Sequence, residues 1–163
     1  AGFRKDKTMG VVVLTNSTGF PDDLGFHLLN PDYPMVEPKL PLSNTLNKIL
    51  LDEGIEAVEN AYMEIKENES DKYSFNEHAF VRFGYYYVGY KKYPEAIAAF
   101  KIMVDAFPES TSALNYYGEA LLKNGNKKLA IKNYKKSLEL NPENQEAIDK
   151  LKELGVEIEN SVE

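Results

Sequence analysis

The sequence has no cysteine, only two histidines, no long apolar run, and fewer basic than acidic side chains. Without cysteine there is no disulfide framework, no thiolate zinc site and no cysteine nucleophile. No apolar run approaches the ~18 residues that a membrane-spanning helix requires. The run Val11 to Leu14 is also too short for the core of a secretory signal, so the chain carries no address and its compartment stays open. With 19 basic against 26 acidic side chains, the net charge of −7 argues against bulk attraction to nucleic acid or anionic lipid. What remains is a globular composition, 43% apolar and 12% aromatic over 163 residues. That suffices for one domain with a real core, or a smaller domain with an appendage. There is no initial methionine, and the chain reads as a piece of something longer.

Charge and proline are unevenly spread. Residues 43–76 carry 3 basic against 8 acidic side chains, whereas the segments on either side are nearly balanced. Five prolines (Pro21, Pro31, Pro34, Pro38 and Pro41) fall between residues 20 and 42. Each restricts its own backbone and disfavours helix in the residue before it, so 20–42 reads as an extended connector. The pattern after it is helical and the pattern before it is strand-like.

The strongest signal is an internal repeat. Gly84 recurs as Gly118, Ala96 as Ala130, Phe100 as Tyr134 and Pro108 as Pro142, always at the same offset. One unit reads Phe80-x2-Phe83-Gly84-x2-Tyr87, then Ala96-x3-Phe100, then Pro108. The next reads Leu114-x2-Tyr117-Gly118-x2-Leu121, then Ala130-x3-Tyr134, then Pro142. Small residues allow two antiparallel helices to approach, large ones at helical spacing fill the gap, and proline ends the second helix. Turn-prone residues, Gly89-Tyr90-Lys91-Lys92 and Asn124-Gly125-Asn126, separate the helices of each pair. In its period of ~34 residues and in its residue types the pattern resembles the tetratricopeptide repeat. Phe80 and Leu114 stand where that family usually has tryptophan. Met103 and Ser137 stand where it usually has alanine, and looser packing is expected around Met103.

Ser74-x-x-Glu77 reads as a capping box opening the first full repeat. Upstream, Leu46, Ile49 and Leu50, then Ile55, Val58, Tyr62 and Ile65 after Gly54, make two short stripes: a degenerate repeat over 43–76. The full repeats span 77–110 and 111–141. Asn141-Pro142 is expected to open a capping helix over 142–155, carrying Ala147, Ile148, Leu151 and Leu154 and closed by Gly155. Residues 156–163 are expected to fray.

Residues 1–19 read as a β-hairpin: Ala1 to Arg4, a turn at Lys5-Asp6-Lys7, then Met9 to Ser17. A lone hairpin is marginal in water, and Val11 to Leu14 suits a strand covered on both faces. Gly2-Phe3-Arg4, the strand Gly10-Val11-Val12-Val13-Leu14-Thr15-Asn16-Ser17, and Asp23 to Pro31 together resemble the C-terminal end of β-lactamase and penicillin-binding-protein-like serine hydrolases. Some members of that family carry a helical repeat extension after such a linker. The resemblance covers about residues 1–35. It implies an acyl-enzyme parent, and hints that the parent is exported. The family's motifs are Ser-x-x-Lys, Tyr-x-Asn and Lys/His-x-Gly. None of the eight serines has lysine three positions later, and no tyrosine has asparagine two later. Lys123-Asn124-Gly125 matches the third pattern but falls in an inter-helix turn. No catalytic residue is expected in this chain.

His27 and His78 are solitary and read as structural, so neither a metal nor a cofactor is expected. The acidic run from Asp52 to Asp71, with Glu56, Glu59, Glu64, Glu67 and Glu69, lacks the order of a calcium loop and reads as a solvated face. Lys127, Lys128, Lys132, Lys135 and Lys136 form a basic surface on the second helix of the second repeat. Solubility is its plain reading, and docking against an acidic partner the sharper one. The resemblance to the repeat family implies a groove lined by first helices. Its positions here are His78, Val81, Tyr85, Val88 and Gly89, then Ser112, Asn115, Glu119, Leu122 and Lys123, with Arg82 and Tyr116 at the edge. Tyr85 and Glu119 stand where a carboxylate clamp of that family would want asparagine, so capture of a peptide C-terminus is not expected. A groove of aromatic and aliphatic residues with few polar anchors suits an extended peptide or a helix. The chain's own 20–42 segment, with Phe26, Leu28, Leu29, Tyr33 and Met35, is an equal rival for it.

The expected fold is therefore all-α, a solenoid of tetratricopeptide type preceded by a short β-hairpin and a linker. The expected function is a non-catalytic interaction module for a protein or peptide, forming the C-terminal part of a serine hydrolase. Two alternatives stand beside it: a hydrolase fragment completed by its missing catalytic domain, and a homo-oligomer formed through Val11 to Leu14.

Overall fold

The computed structural model describes residues 2–3, 10–11, 32 and 39–157. Two compact units are distinguished, Ala1–Lys39 and Leu40–Glu163. In the first, β1 (Gly2–Phe3) pairs antiparallel with β2 (Gly10–Val11), Gly2 opposite Val11 and Phe3 opposite Gly10. The expected turn at Lys5 to Lys7, the strand beyond Val11, His27, nearly all of the proline-rich connector and the tail from 158 onward lie outside the described residues.

In the second unit, β3 (Leu40–Pro41) leads into α1 (Leu42–Asp52) and α2 (Ile55–Asn68). A 3-10 turn, Ser70–Lys72, and β4 (Tyr73–Ser74) follow. Then come α3 (Glu77–Gly89), α4 (Tyr93–Ala106), α5 (Thr111–Lys123), α6 (Lys127–Leu140) and α7 (Gln145–Glu153). β3 and β4 pair in parallel, Leu40 with Tyr73 and Pro41 with Ser74. Leu42, within the stretch read as connector, is already helical and fully buried.

The fold is all-α, of stacked helix pairs, and the constant stride of the sequence is visible in its packing. Phe80, Phe83 and Tyr87 on α3 and Leu114 and Leu121 on α5 are buried, as are Ala96 and Phe100 on α4 and Ala130 and Tyr134 on α6. Tyr117 is half-buried, and Pro108 and Pro142 are exposed in turns. Gly84 and Gly118 are buried because each receives an aromatic ring from the second helix of its own pair. Phe100 lies against Gly84 and Tyr134 against Gly118. Small size on the first helix thus accommodates the ring that follows the alanine by one turn, on the same face of the second helix. Met103, expected to pack loosely, is fully buried. Ser137 is also fully buried and accepts a hydrogen bond from Asn144 Nδ2 at 2.7 Å.

One apolar cluster joins α1 to α5, and a second joins Leu121, Ala130, Tyr134, Ala147 and Leu151 across α5, α6 and α7. The leading pair is stacked differently from the others, since α2 packs on α1 and on α4 rather than along α3. Polar bridges hold it to α4. Tyr62 Oη donates to Asp105 Oδ2 at 2.7 Å, Lys66 Nζ reaches the same oxygen at 2.5 Å, and Lys101 Nζ pairs with Glu59 at 2.7 Å. Lys66 first, then the Tyr62 hydroxyl, holds the Asp105 carboxyl below its usual range. Ala120 is fully buried, whereas Tyr86, its counterpart in the preceding unit, is 46% exposed.

Two expectations about helix starts are corrected. Ser74 and Glu77 form no capping box: Asn76 caps α3, its side chain accepting from Ala79 N at 3.0 Å. Ser74 is held in the β3–β4 ladder, which is incompatible with an N-cap, and Glu77 instead accepts from Ser110 Oγ. Likewise Pro142 does not open α7. Asn141 to Asn144 form a turn, and Asn144 caps the helix. Asn76, Ser110 and Asn144 all cap first helices or their equivalent, and they too recur at the repeat's offset.

The inter-helix turns differ at two neighbouring pairs of equivalent positions that bear on stability. Gly125 has φ 83, and Lys91, which holds its place in the preceding unit, has φ 57. Asn126 caps α6 with its side chain, whereas Lys92, with nearly the same backbone angles, makes no cap. A non-glycine residue in the left-handed region costs about 1–2 kcal/mol, and a lost N-cap about 1 kcal/mol. Part of the first gain is offset by the greater freedom of unfolded glycine. The double change Lys91→Gly with Lys92→Asn is expected to stabilise the protein by about 1–2 kcal/mol in urea denaturation. Unchanged or lower stability would show that the turn is not strained.

Candidate functional site

The face between α3 and α5 is built by positions that the repeat brings into line. Tyr85 and Glu119 occupy the same place in successive units, and Tyr85 Oη donates to Glu119 Oε2 at 2.6 Å. Tyr85 meets Tyr116 edge to face, with ring centres 5.4 Å apart. Phe100 underlies both, 5.5 Å from Tyr85 and 5.8 Å from Tyr116. Tyr85 remains 37% exposed, so the cluster is supported from below and open to solvent. Burial first, then the hydrogen bond to Glu119, raises the Tyr85 phenol well above its ordinary range, so it is a neutral donor at all physiological pH. Lys123 Nζ approaches the other Glu119 oxygen at 3.5 Å.

The other expected groove residues are placed less uniformly. Val81 and Val88 are half-buried against the main core, and Leu122 against the second. His78, Arg82, Gly89, Ser112 and Lys123 are exposed. Asn115, expected on the groove, is only 2% exposed. Its Nδ2 donates to Glu146 Oε2 at 2.9 Å and to Asn144 Oδ1 at 3.4 Å, so the start of α7 closes over it. Glu146 is the residue that the reading of the sequence missed. Its signal lay in Asn144, which continues the series of caps set by Asn76 and Ser110 and so places the first turn of α7 beside the first turn of α5. Tyr87, on the opposite side of α3, donates to Asn47 Oδ1 at 2.9 Å, and burial pushes its phenol up to about 12.

Lys123-Asn124-Gly125 runs from the last residue of α5 into the turn before α6. Lys127, Lys128, Lys132, Lys135 and Lys136 are all exposed, and no ion pair among the described residues involves them. Among the described residues, no cluster of His, Asp or Glu could hold a metal ion, and no helix is long and apolar enough to cross a membrane.

Residues 111–144, which comprise α5, α6 and the turn into α7, match the family model of the tetratricopeptide repeat. This stretch is a tetratricopeptide repeat. No curated protein sequence matches the chain. Among solved structures, the chain is similar to the first tetratricopeptide domain of Spaghetti (RPAP3) bound to the HSP90 peptide SRMEEVD. That likeness has 22% identity and a TM-score of 0.47, and covers 70% of this chain and 87% of that one. The second such domain of human RPAP3, in complex with the HSP70 peptide SGPTIEEVD, shares 18% identity at a TM-score of 0.48, covering 71% and 93%. The N-terminal domain of the stress-induced protein STI-1 from C. elegans shares 20% identity at a TM-score of 0.45, covering 70% and 91%. In this chain the helix pair before residues 111–144, α3 and α4, packs in the same way, with Phe100 on Gly84 in place of Tyr134 on Gly118.

Proposed function

We propose that this chain is a non-catalytic interaction module whose α3–α5 face binds an extended peptide or partner segment. The observation that carries the reading is the tyrosine pair: Tyr85 and Tyr116 are partly exposed yet held by Phe100 beneath and by Glu119 at the side. Rings fixed before binding lose little entropy when a ligand covers them, which is how a few aromatic anchors dominate an interface. Selection from a random peptide display library against the immobilised protein tests it. Selected peptides are expected to lose about tenfold in affinity for Tyr85→Ser and to keep it for Lys132→Glu. Equal binding to the Tyr85 variant, with its fold intact by circular dichroism, would exclude this face. Selected peptides that bind only after residues 1–39 are removed would support the chain's own upstream segment as the natural occupant.

The finer proposal, that the module is the C-terminal part of a β-lactamase-like serine hydrolase, rests on the residues quoted between Gly2 and Pro31. An in-frame Ser-x-x-Lys motif in the coding sequence upstream of Ala1 supports it, and an unrelated upstream domain refutes it.

A further inference from the structure

The outer face of α6 carries Lys128, Lys132, Lys135 and Lys136, all exposed and none in an ion pair among the described residues. Helix stability does not account for them. Lys127 and Lys128 stand in the first turn, where the helix dipole favours acid, and the last turn holds Glu139 and no base. Lys128, Lys132 and Lys136 also repel one another at the spacing of one turn. In α2 and α7, by contrast, the first turn has Glu56 or Glu146, and the last has Lys66, or Lys150 and Lys152. Asn126, Lys128, Leu129 and Lys132 line a shallow hollow at the head of the stripe, so a carboxylate entering it meets two ammonium groups. The complementary face is on the same chain. Glu56, Glu64 and Glu67 on α2 are exposed and make no ion pair among the described residues, while the lysines of α2 and α4, Lys66 and Lys101, are taken by Asp105 and Glu59. The two stripes occupy equivalent places. Val58, Tyr62 and Ile65 are buried on α2 as Ala130, Tyr134 and Ser137 are on α6. Counted from those tyrosines, Glu56 coincides with Lys128 and Glu64 with Lys136. The leading pair thus shows acid where the last full pair shows base, on the same side of its second helix.

We propose that the lysine face of α6 docks on the acidic face of α2 in a second copy of this chain, Lys128 and Lys136 against Glu56 and Glu64. The second copy is favoured over a free acidic peptide because its carboxylates are already fixed on a helix of the same 14 residues, at the same spacing as the lysines. Faces fixed before contact lose less freedom than a peptide that must be ordered. The contact also relieves like-charge repulsion along α6 and along α2. The net charge of −7 opposes association at long range, so the attraction comes from these facing patches and the complex is weak and reversible. It joins two different patches, so copies link head to tail unless a two-fold axis satisfies both at once. This surface is separate from the α3–α5 face, and the inference does not rest on peptide binding there.

Sedimentation equilibrium and light scattering on the full chain, at concentrations up to about 1 mM, test it. The native protein is expected to gain mass as concentration rises. Lys128→Glu with Lys136→Glu, and separately Glu56→Lys with Glu64→Lys, are each expected to weaken that association at least tenfold. The second pair of changes brings the net charge nearer to zero, so general repulsion would predict the opposite. All four changes in one chain restore the native net charge and are expected to restore association to within about threefold of the native strength. An equal mixture of the two reversed proteins is expected to do the same, and needs only that each is folded by circular dichroism. A native protein that stays monomeric throughout overturns the proposal, and a polyglutamate peptide that binds this monomer would assign the stripe to an acidic partner instead. Association unchanged by either reversal overturns it in favour of a contact elsewhere. A loss that neither the four changes together nor the mixture repairs overturns the pairing of α6 with α2. The display selection decides the α3–α5 face separately from all of these.

Discussion

Replacing Phe100 with alanine is expected to cost about 3–5 kcal/mol, because a buried ring is lost and a cavity is left behind. Phe100 is 1% exposed, fills the space above Gly84 and supports Tyr85 and Tyr116. Its neighbours cannot all collapse inward, since α4 is also tied to α2 by Asp105 and Lys101. Loss should therefore lie toward the high end. Thermal and urea denaturation followed by circular dichroism would measure it, and a change below about 1 kcal/mol would contradict the packing described. Peptide selected against the native protein should also bind this variant less well at temperatures where it remains folded, because Tyr85 and Tyr116 lose the ring that orients them. Phe100→Leu, which keeps most of the volume, is expected to show a much smaller effect on stability.

Gly84→Ala is the second large effect, and its sign depends on Phe100. At a free helix position the change would stabilise by about 1 kcal/mol. Here the new Cβ would overlap Phe100 Cε1 and Cζ and lie 2.7 Å from Cδ1, contacts that rigid ring atoms cannot relieve by bending. Overpacking of this kind costs about 1–3 kcal/mol and occasionally more, so a net loss of about 1–2 kcal/mol or greater is expected. Gly118→Ala should be milder, since its Cβ would stand 2.9 Å from Tyr134 Cζ and 3.0 and 3.1 Å from the two Cε atoms. In a Phe100→Ala background the clash disappears, and Gly84→Ala is expected to become stabilising. A double-mutant cycle with additive effects would show that residue 84 and residue 100 do not touch.

Much of this was legible in one dimension because a constant stride leaves a strong trace. Glycine, alanine, aromatic and proline recur at one fixed offset, and a helix pair is the local structure that makes such spacing useful. That is why α3 to α6 and their buried faces could be read directly. Register also puts Tyr85 and Glu119 at equivalent places in successive units. What register did not reveal was that they would bond to each other across the two units.

The misreadings share a cause. Ser74 and Glu77 have the residue types of a capping box, but β3, which lies before both helices of the leading pair, bonds to Tyr73 and Ser74 and holds them extended. Asn115 has the position of a groove residue, but the first turn of α7, which the chain reaches only after α6, closes over it. Tyr86 matches a position that is fully buried in the next unit, yet it is open because α2 does not lie along α3. In each case a segment distant in sequence determined the environment of a locally well-read residue.

By itself, the sequence determined the helix pairs, their stride and which faces must be covered, because these follow from short-range spacing of small, large and helix-breaking residues. Only the tertiary structure decided which rings fill the glycine positions, where each helix begins, and which polar groups on the α3–α5 face find partners. Those outcomes depend on contacts between residues far apart along the chain, whose energies come from fitting surfaces together and not from any local preference.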